Sequence, residues 1–243
     1  MVEIKNKDIE EKVNLLLEKL NSEDVEIKQE AAYDIWKLTE IYPGDLQILI
    51  PILKQSTKDE NWVVRKMAIQ AFIELEAMAE IPTIISMLLE DKDGEVRTSA
   101  IEALTKLEVE EAIPQIITAL KDSERVVYEL AAWSLGSFGK KASGAVPMLI
   151  ELLSKTTPGI INMSSLAAWS LGEIGDKTAI PHLKIAYEKV EYLEDQFKIA
   201  YAIAQLEDGI GFGTEELQKL QASGKLLDDD CKLIDELIQS KMK

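Results

Sequence analysis

The chain has 243 residues, 47% hydrophobic and 29% charged, a balance typical of a globular protein and not of a disordered or fibrous one. Its 44 acidic and 27 basic residues give a formal net charge of −17. This acidity argues against a polyanionic partner, because phosphate binding requires a basic face. It favours solubility, or a partner that carries a basic patch.

Helical patterns follow one another in pairs along the whole chain, and no alternating strand pattern competes with them. The first helix of each pair is predicted near residues 8–20, 45–56, 80–90, 110–121, 143–155 and 178–190. From the second pair on, each first helix contains a proline near its start, where the missing N–H costs nothing. These prolines are Pro51, Pro82, Pro114, Pro147 and Pro181, and an aliphatic residue follows each two positions later.

The second helices are predicted near residues 24–41, 60–77, 93–107, 124–138, 160–174 and 193–207. They share a column of small residues, Ala31, Ala68, Ala100, Ala131 and Ala167. Large apolar residues follow each alanine after four positions and again after three more, and this spacing indicates one helical stripe that faces a core. The six letters AAWSLG occur twice, starting at Ala131 and again 36 residues later at Ala167.

Six repeats are therefore predicted near residues 8–41, 45–77, 80–107, 110–138, 143–174 and 178–207. The sixth copy is degenerate, and either Ala200 or Ala202 fits its alanine column. Gly209, Gly211 and Gly213 indicate a break in the helical pattern, after which residues 214–241 are expected to form a closing pair. All 243 residues are predicted to form one domain.

The pattern of Asp, four residues, Val-Arg and then small and apolar residues recurs from Asp91 to Leu104 and, in part, from Asp59 to Arg65. With the AAWSLG segments, it resembles the HEAT-like repeat named after phycobilisome lyases, over residues 20–207. The resemblance implies an all-α fold, a right-handed solenoid of about six helix pairs with a C-terminal capping pair.

In that family the aspartate and arginine columns are structural, and a turn carboxylate holds the arginine of a neighbouring repeat. Here Asp59, Asp91 and Asp122 match the aspartate column, and Arg65 and Arg97 match the arginine column. Tyr128 replaces the next arginine, and the fifth repeat has Pro158 and Ser164 in the two columns. The resemblance therefore implies that the ladder breaks in the fifth repeat, with a looser stack or altered curvature.

The resemblance also implies a concave groove, lined by the residues that lie two positions after each alanine of the column. Its residues are Tyr33, Gln70, Glu102, Trp133 and Trp169, with flanking positions at Gln29, Lys37, Lys66, Glu74, Thr98, Lys106, Glu129, Ser137, Ser165 and Glu173. At the usual helix spacing the two tryptophans stand about 10 Å apart and can clamp a peptide; alternatively, they pack along the groove floor. Trp36 and Trp62 lie outside this column and are expected to pack. The predicted partner site comprises Trp133, Trp169, Tyr33, Gln70, Glu102, Glu129 and Glu173.

The sequence contains no arrangement of residues typical of a catalytic or metal site. His182 is the only histidine and has no histidine or cysteine partner nearby, so we expect a surface residue. The acidic groups 228–230 and 191–195 lack the spacing of a calcium loop and are interpreted as helix caps or solvated faces. We therefore predict a protein without catalytic residues, metal or cofactor.

Three functions follow from these patterns. The first is a scaffold that binds another protein, through a peptide or a helical segment with basic character, on the concave face. The second, implied by the family resemblance, is a lyase-like or chaperone role toward an open-chain tetrapyrrole. The third, nucleic-acid binding, is disfavoured by the mixed charge of the groove. A charged N-terminus and the lack of a long apolar run predict a cytoplasmic protein that makes no membrane contact.

Overall fold

The computed structural model describes residues 6–154 and 163–242, and these residues form α-helices joined by short turns, with no β-strand among them. The predicted all-α fold of six helix pairs and a closing pair is confirmed. The first helices are α1 (Lys7–Leu20), α3 (Ile50–Ser56), α5 (Ile81–Glu90), α7 (Ile113–Ala119), α9 (Val146–Leu152) and α11 (Ile180–Tyr187). The second helices are α2 (Val25–Ile41), α4 (Trp62–Glu74), α6 (Gly94–Lys106), α8 (Arg125–Ser137), α10 (Met163–Ile174) and α12 (Leu193–Leu206), and the closing pair is α13 (Phe212–Ala222) and α14 (Asp228–Lys241).

The contacts within the chain define two compact units, each of which is described here by itself. Unit 1 comprises Met1–Gln115 and Ser123–Val127, and unit 2 comprises Ile116–Asp122 and Tyr128–Lys243. In unit 1, α2 packs on α4 and α4 packs on α6; in unit 2, α10 packs on α12 and α12 packs on α13. The second helices therefore pack on one another in both units.

Each proline-containing first helix begins in the same way. A short 3₁₀ turn leads into the helix, as at Met78–Glu80 before α5, and the proline occupies the first turn. The aliphatic residue two positions after the proline is buried in every copy: Leu53, Ile84, Ile116, Leu149 and Leu183 are at most 4% exposed. The proline thus starts a helix whose next inward position enters the core.

The alanine column is buried throughout, with Ala31, Ala68, Ala100, Ala131 and Ala167 at most 2% exposed. The large residue four positions later is also buried in each copy. Farther along the stripe, Leu107 and Phe138 are only partly buried. Asp24 and Asn61 cap the starts of α2 and α4, because their side-chain oxygens accept backbone N–H groups of the first turn at 2.9 Å.

The aspartate–arginine ladder is present in unit 1. The Arg65 guanidinium donates to both carboxylate oxygens of Asp91 at 2.7 Å and also to the carbonyl oxygens of Asp59 and Glu60. One arginine therefore joins the turn before its own helix to the turn of the next repeat, as the resemblance implied. Arg97 continues the ladder through the carbonyl oxygen of Asp91 and the Glu124 carboxylate.

The ladder has one more rung than the sequence indicated, because Lys28 occupies the arginine position of the first repeat and binds Asp59 at 3.2 Å. At the other end, Tyr128 is partly buried and Ser164 is fully buried. Pro158 lies outside the described residues. The change in stacking expected near the fifth repeat stays a prediction.

The closing pair packs on α12 around Phe197, Ala204, Leu217 and Ile234. Gly213 was expected to interrupt the helical pattern, but it lies inside α13. A Cβ atom at this position would stand 2.3 Å from the backbone nitrogen of Ala204, so glycine allows the two helices to touch. The prediction for Gly213 is therefore wrong, because close backbone packing and not chain reversal determines the residue there.

Candidate interaction surface

The predicted groove residues fall into two sets, one on the second helices of each unit. Tyr33, Gln70 and Glu102 lie on α2, α4 and α6 of unit 1, whereas Glu129, Trp133, Trp169 and Glu173 lie on α8 and α10 of unit 2. Two of the predicted groove positions are buried: Gln70 is 8% exposed and Ser165 is 1% exposed. The expectation of an open groove position is wrong for these two.

The tryptophan rings of unit 2 stack on each other. The Trp133 and Trp169 ring centroids are 6.3 Å apart and the planes differ by 3°. The predicted separation of about 10 Å was wrong, since it considered helix axes and not the convergence of the side chains. A peptide has no room between the rings, and Trp133, which is 47% exposed, offers its outer surface instead.

Gly136 explains the position of Trp169. A Cβ atom on Gly136 would lie 2.6 Å from the Trp169 ring, so the indole rests on backbone that only glycine leaves accessible. Close approach of α8 and α10 is completed by Ser170, whose hydroxyl donates to the Ala132 carbonyl oxygen at 2.8 Å. The first AAWSLG segment thus supplies the exposed indole of Trp133 and also Gly136, against which the indole of the second segment packs.

The structure also settles the register of the sixth repeat. Ile199, and neither Ala200 nor Ala202, occupies the alanine column, because burial along α12 matches that along α8 at most positions in this alignment. Ile199 is buried like Ala131, and Tyr201 is partly exposed at the position of Trp133. Both helices also begin six residues before this column. The aromatic column therefore continues to Tyr201, which the sequence-based register missed. Aligning on the aromatic residue in place of the alanine would have found it.

Polar residues border the aromatic column of unit 2. The amide of Gln205 donates to the Glu173 carboxylate at 3.1 Å, which connects α12 with α10. Burial raises the pKa of Tyr201, and the nearby carboxylates Glu173 and Glu236 raise this pKa further. We name the surface formed by Glu129, Trp133, Ser137, Trp169, Glu173, Tyr201 and Gln205 the aromatic face.

The corresponding surface of unit 1 is charged. We name it the lysine face, and it comprises Gln29, Tyr33, Lys37, Lys66, Gln70, Glu74, Thr98, Glu102 and Lys106. Burial alone would raise the pKa of Glu102, but hydrogen bonds from Lys106 and Gln70 lower it below its usual value. Tyr33 is 47% exposed and packs edge-on against Trp36 with centroids 5.3 Å apart. Trp62 was expected to pack but is 39% exposed at the start of α4.

The repeat family is decided by comparison of the sequence with family models. The model described as HEAT repeats matches residues 13–104, 47–135, 81–164 and 113–204, which together span most of the chain. The chain belongs to the HEAT-repeat family. Its second helices, which carry both faces, lie almost entirely inside the matched segments.

Solved structures with the same fold include natural and designed repeat proteins. The Escherichia coli protein YibA is 18% identical with a TM-score of 0.67, and the match covers 98% of this HEAT-repeat chain and 83% of YibA. A chain of the CpcE–CpcF complex of phycocyanin lyase from Nostoc sp. is 19% identical with a TM-score of 0.55, covering 79% and 94% of the two chains. A designed armadillo repeat protein in complex with the peptide (KR)4 is 19% identical with a TM-score of 0.59, covering 80% and 99%. At these identities the similarity concerns the fold alone.

A comparison of the HEAT-repeat sequence with curated proteins finds no significant match. None of the helices in residues 6–154 and 163–242 is long and apolar enough to cross a membrane. Within the same ranges, no three histidine, cysteine or acidic side chains lie close enough together to hold a metal ion. His182 is exposed on α11, as expected for a surface residue.

Proposed function

We propose that this HEAT-repeat protein is a non-catalytic scaffold that binds another protein through the aromatic face. The observation that carries the proposal is the stacked pair Trp133 and Trp169, in which one indole is held on Gly136 and the other is 47% exposed. Tryptophan is enriched among the residues that dominate interfaces, where truncation often costs at least about 2 kcal/mol.

The rigidity of the pair supports this function. Binding is weakened by the entropy lost when side chains become ordered, and ring stacking orders Trp133 before a partner arrives. Solved structures of the same fold support a role in protein binding. The designed armadillo protein is in complex with a peptide, and CpcE is in complex with CpcF. Nucleic acid fits the surface poorly, because the aromatic face contains Glu129 and Glu173 but no lysine or arginine.

Affinity capture from a lysate of the source organism tests the proposal. Trp133→Ala removes the exposed indole and leaves Trp169 on Gly136. Tyr33→Ala is the matched control, because Tyr33 occupies the same repeat position in unit 1 and is equally exposed at 47%. We expect the same proteins to be retained by the wild type and Tyr33→Ala and lost by Trp133→Ala, with all three variants melting alike by circular dichroism. Equal capture by all three variants, or capture by none, would contradict the proposal.

A second candidate is a lyase-like or chaperone role toward an open-chain tetrapyrrole. The similarity to the phycocyanin lyase chain favours it, and stacked indoles offer a flat surface on which a pigment can lie. Mixing the protein with a bilin then produces a shifted visible absorption band that Trp133→Ala abolishes. An unchanged bilin spectrum excludes this role.

A further inference from the structure

The aromatic face differs from the lysine face in how its charges are compensated. On the lysine face, Lys106 binds Glu102 at 2.9 Å, and Lys66 binds Glu95 at 2.7 Å. A hydrogen bond to Glu40 raises the pKa of Lys37. The nearby Glu74 carboxylate raises this pKa further. The lysines of the lysine face thus already have carboxylate partners within the protein.

The carboxylates around Tyr201 have no such compensation. Glu173 accepts a hydrogen bond from Gln205, which is neutral, and Glu173 and Glu236 are both exposed. Within residues 6–154 and 163–242, no lysine or arginine forms an ion pair with either carboxylate. Two negative charges therefore border an aromatic surface on a protein whose net charge is already −17.

The tryptophans of the two units also differ in whether a lysine of the protein lies over the ring. In unit 1, the Lys37 ammonium lies 4.2 Å from the Trp36 ring centroid, and the Lys66 ammonium lies 5.7 Å from that of Trp62. In the part of the chain that the structure describes, no cation of the protein lies over Trp133 or Trp169. Indole faces attract ammonium and guanidinium groups, so these two rings retain that capacity for a partner.

We propose that the aromatic face recognises a cationic peptide segment, whose arginine or lysine side chains lie over Trp133 and Tyr201 and pair with Glu173 and Glu236. This inference rests on the proposed scaffold function and names the chemistry of the partner. The rings select for cations that can shed part of their hydration, which favours arginine over lysine. The surrounding negative charge accelerates association with such a segment and repels acidic ones.

Fluorescence anisotropy with a labelled eight-residue peptide of alternating lysine and arginine tests this inference. An acidic peptide of equal length, with alternating glutamate and serine, is the negative probe. At physiological ionic strength, where the Debye length is about 8 Å, long-range attraction to the net charge is largely screened. We expect binding of the basic peptide alone, weakened about fivefold to thirtyfold by Trp133→Ala and about threefold to tenfold by Glu173→Gln.

Glu74→Gln is the matched control, because Glu74 occupies the position of Glu173 in unit 1 and its removal changes the net charge equally. Equal weakening by Glu74→Gln and Glu173→Gln would overturn the inference, since the peptide would then sense only net charge. Absence of peptide binding by the wild type would overturn it too. If lysate capture still depends on Trp133 in that case, the scaffold function stands and only the cationic partner is wrong.

Discussion

Four of the second helices are followed by a single residue with a left-handed backbone, always eight positions after the residue of the alanine column. The residue is Gly139 or Gly175 in unit 2 but Glu76 or Glu108 in unit 1, with φ values of 46° and 52° for the two glutamates. A left-handed conformation costs a residue with a Cβ about 1–2 kcal/mol. The two glutamates therefore store strain that the two glycines avoid.

Glu76→Gly is expected to raise the free energy of unfolding by about 0.5–1 kcal/mol, because relief of strain exceeds the entropy cost of glycine. Gly175→Ala is the reverse experiment, and it should lower the stability by about 1 kcal/mol through the backbone alone. No atom lies within 4 Å of a Cβ built at Gly175, so no clash contributes. Urea unfolding measures both changes, and a destabilised Glu76→Gly variant would refute the explanation.

Tyr187 gives a prediction for alkaline pH. Burial, followed by the hydrogen bond to Glu216, raises the pKa of Tyr187 to about 12. A raised pKa means that the neutral phenol stabilises the fold below pH 10, and that this contribution is lost as the pH rises toward 12. The absorbance at 295 nm of the wild type minus that of Tyr187→Phe should therefore titrate near pH 12. A difference curve with its midpoint at the ordinary tyrosine pKa of about 10 would contradict this result.

Between elements, the ladder holds unit 1 together at the turns before the second helices. The side chains of Arg65 and Asp91 are only 6% and 8% exposed. Arg65 also pairs with the more exposed Asp93 at 2.5 Å, so it is chiefly Asp91 that depends on Arg65 for compensation of its charge. Removing one partner of a buried pair leaves an unpaired charge and typically costs about 3–5 kcal/mol. The lysine rung formed by Lys28 is more exposed, with side chains at 26% and 21%.

Arg65→Met should therefore destabilise the protein by about 3–5 kcal/mol in urea unfolding, and adding Asp91→Leu should restore part of the loss. Lys232→Met provides the comparison, because the Lys232–Asp229 pair is 71% and 90% exposed. Such surface pairs contribute about 0–1 kcal/mol. The structural role of the ladder is wrong if the two methionine variants lose equal stability.

The molecule as a whole carries a net charge of −17, which opposes compaction through repulsion among like charges. The Debye length falls from about 30 Å at 0.01 M salt to about 10 Å at 0.1 M. We expect the Tm to rise by about 2–4 °C over this range, as for a stabilisation of about 1 kcal/mol in a chain of this size. A Tm that falls with sodium chloride, measured by circular dichroism, would mean that the exposed ion pairs outweigh the repulsion.

The repeats, the helix pairs and the buried columns could be predicted from the sequence, because each depends on local spacing. A proline in the first turn indicates the start of a helix wherever it occurs. An alanine followed by apolar residues four and seven positions later likewise indicates one buried helix face. The rung between Arg65 and Asp91 was implied by the family resemblance for the same reason, since the repeat places both residues at constant positions.

Only the tertiary structure determined the contacts between side chains of neighbouring helices. The rings of Trp133 and Trp169 meet because Gly136 on one helix leaves room for the indole of the next. The distance between the two rings cannot be predicted from residue spacing within one helix. Tyr201 joined the aromatic column only when burial along α12 placed Ile199 in the alanine position. Periodicity determines which side of a helix faces the core, whereas shape complementarity between neighbouring helices determines how close they come and which side chains remain available to a partner.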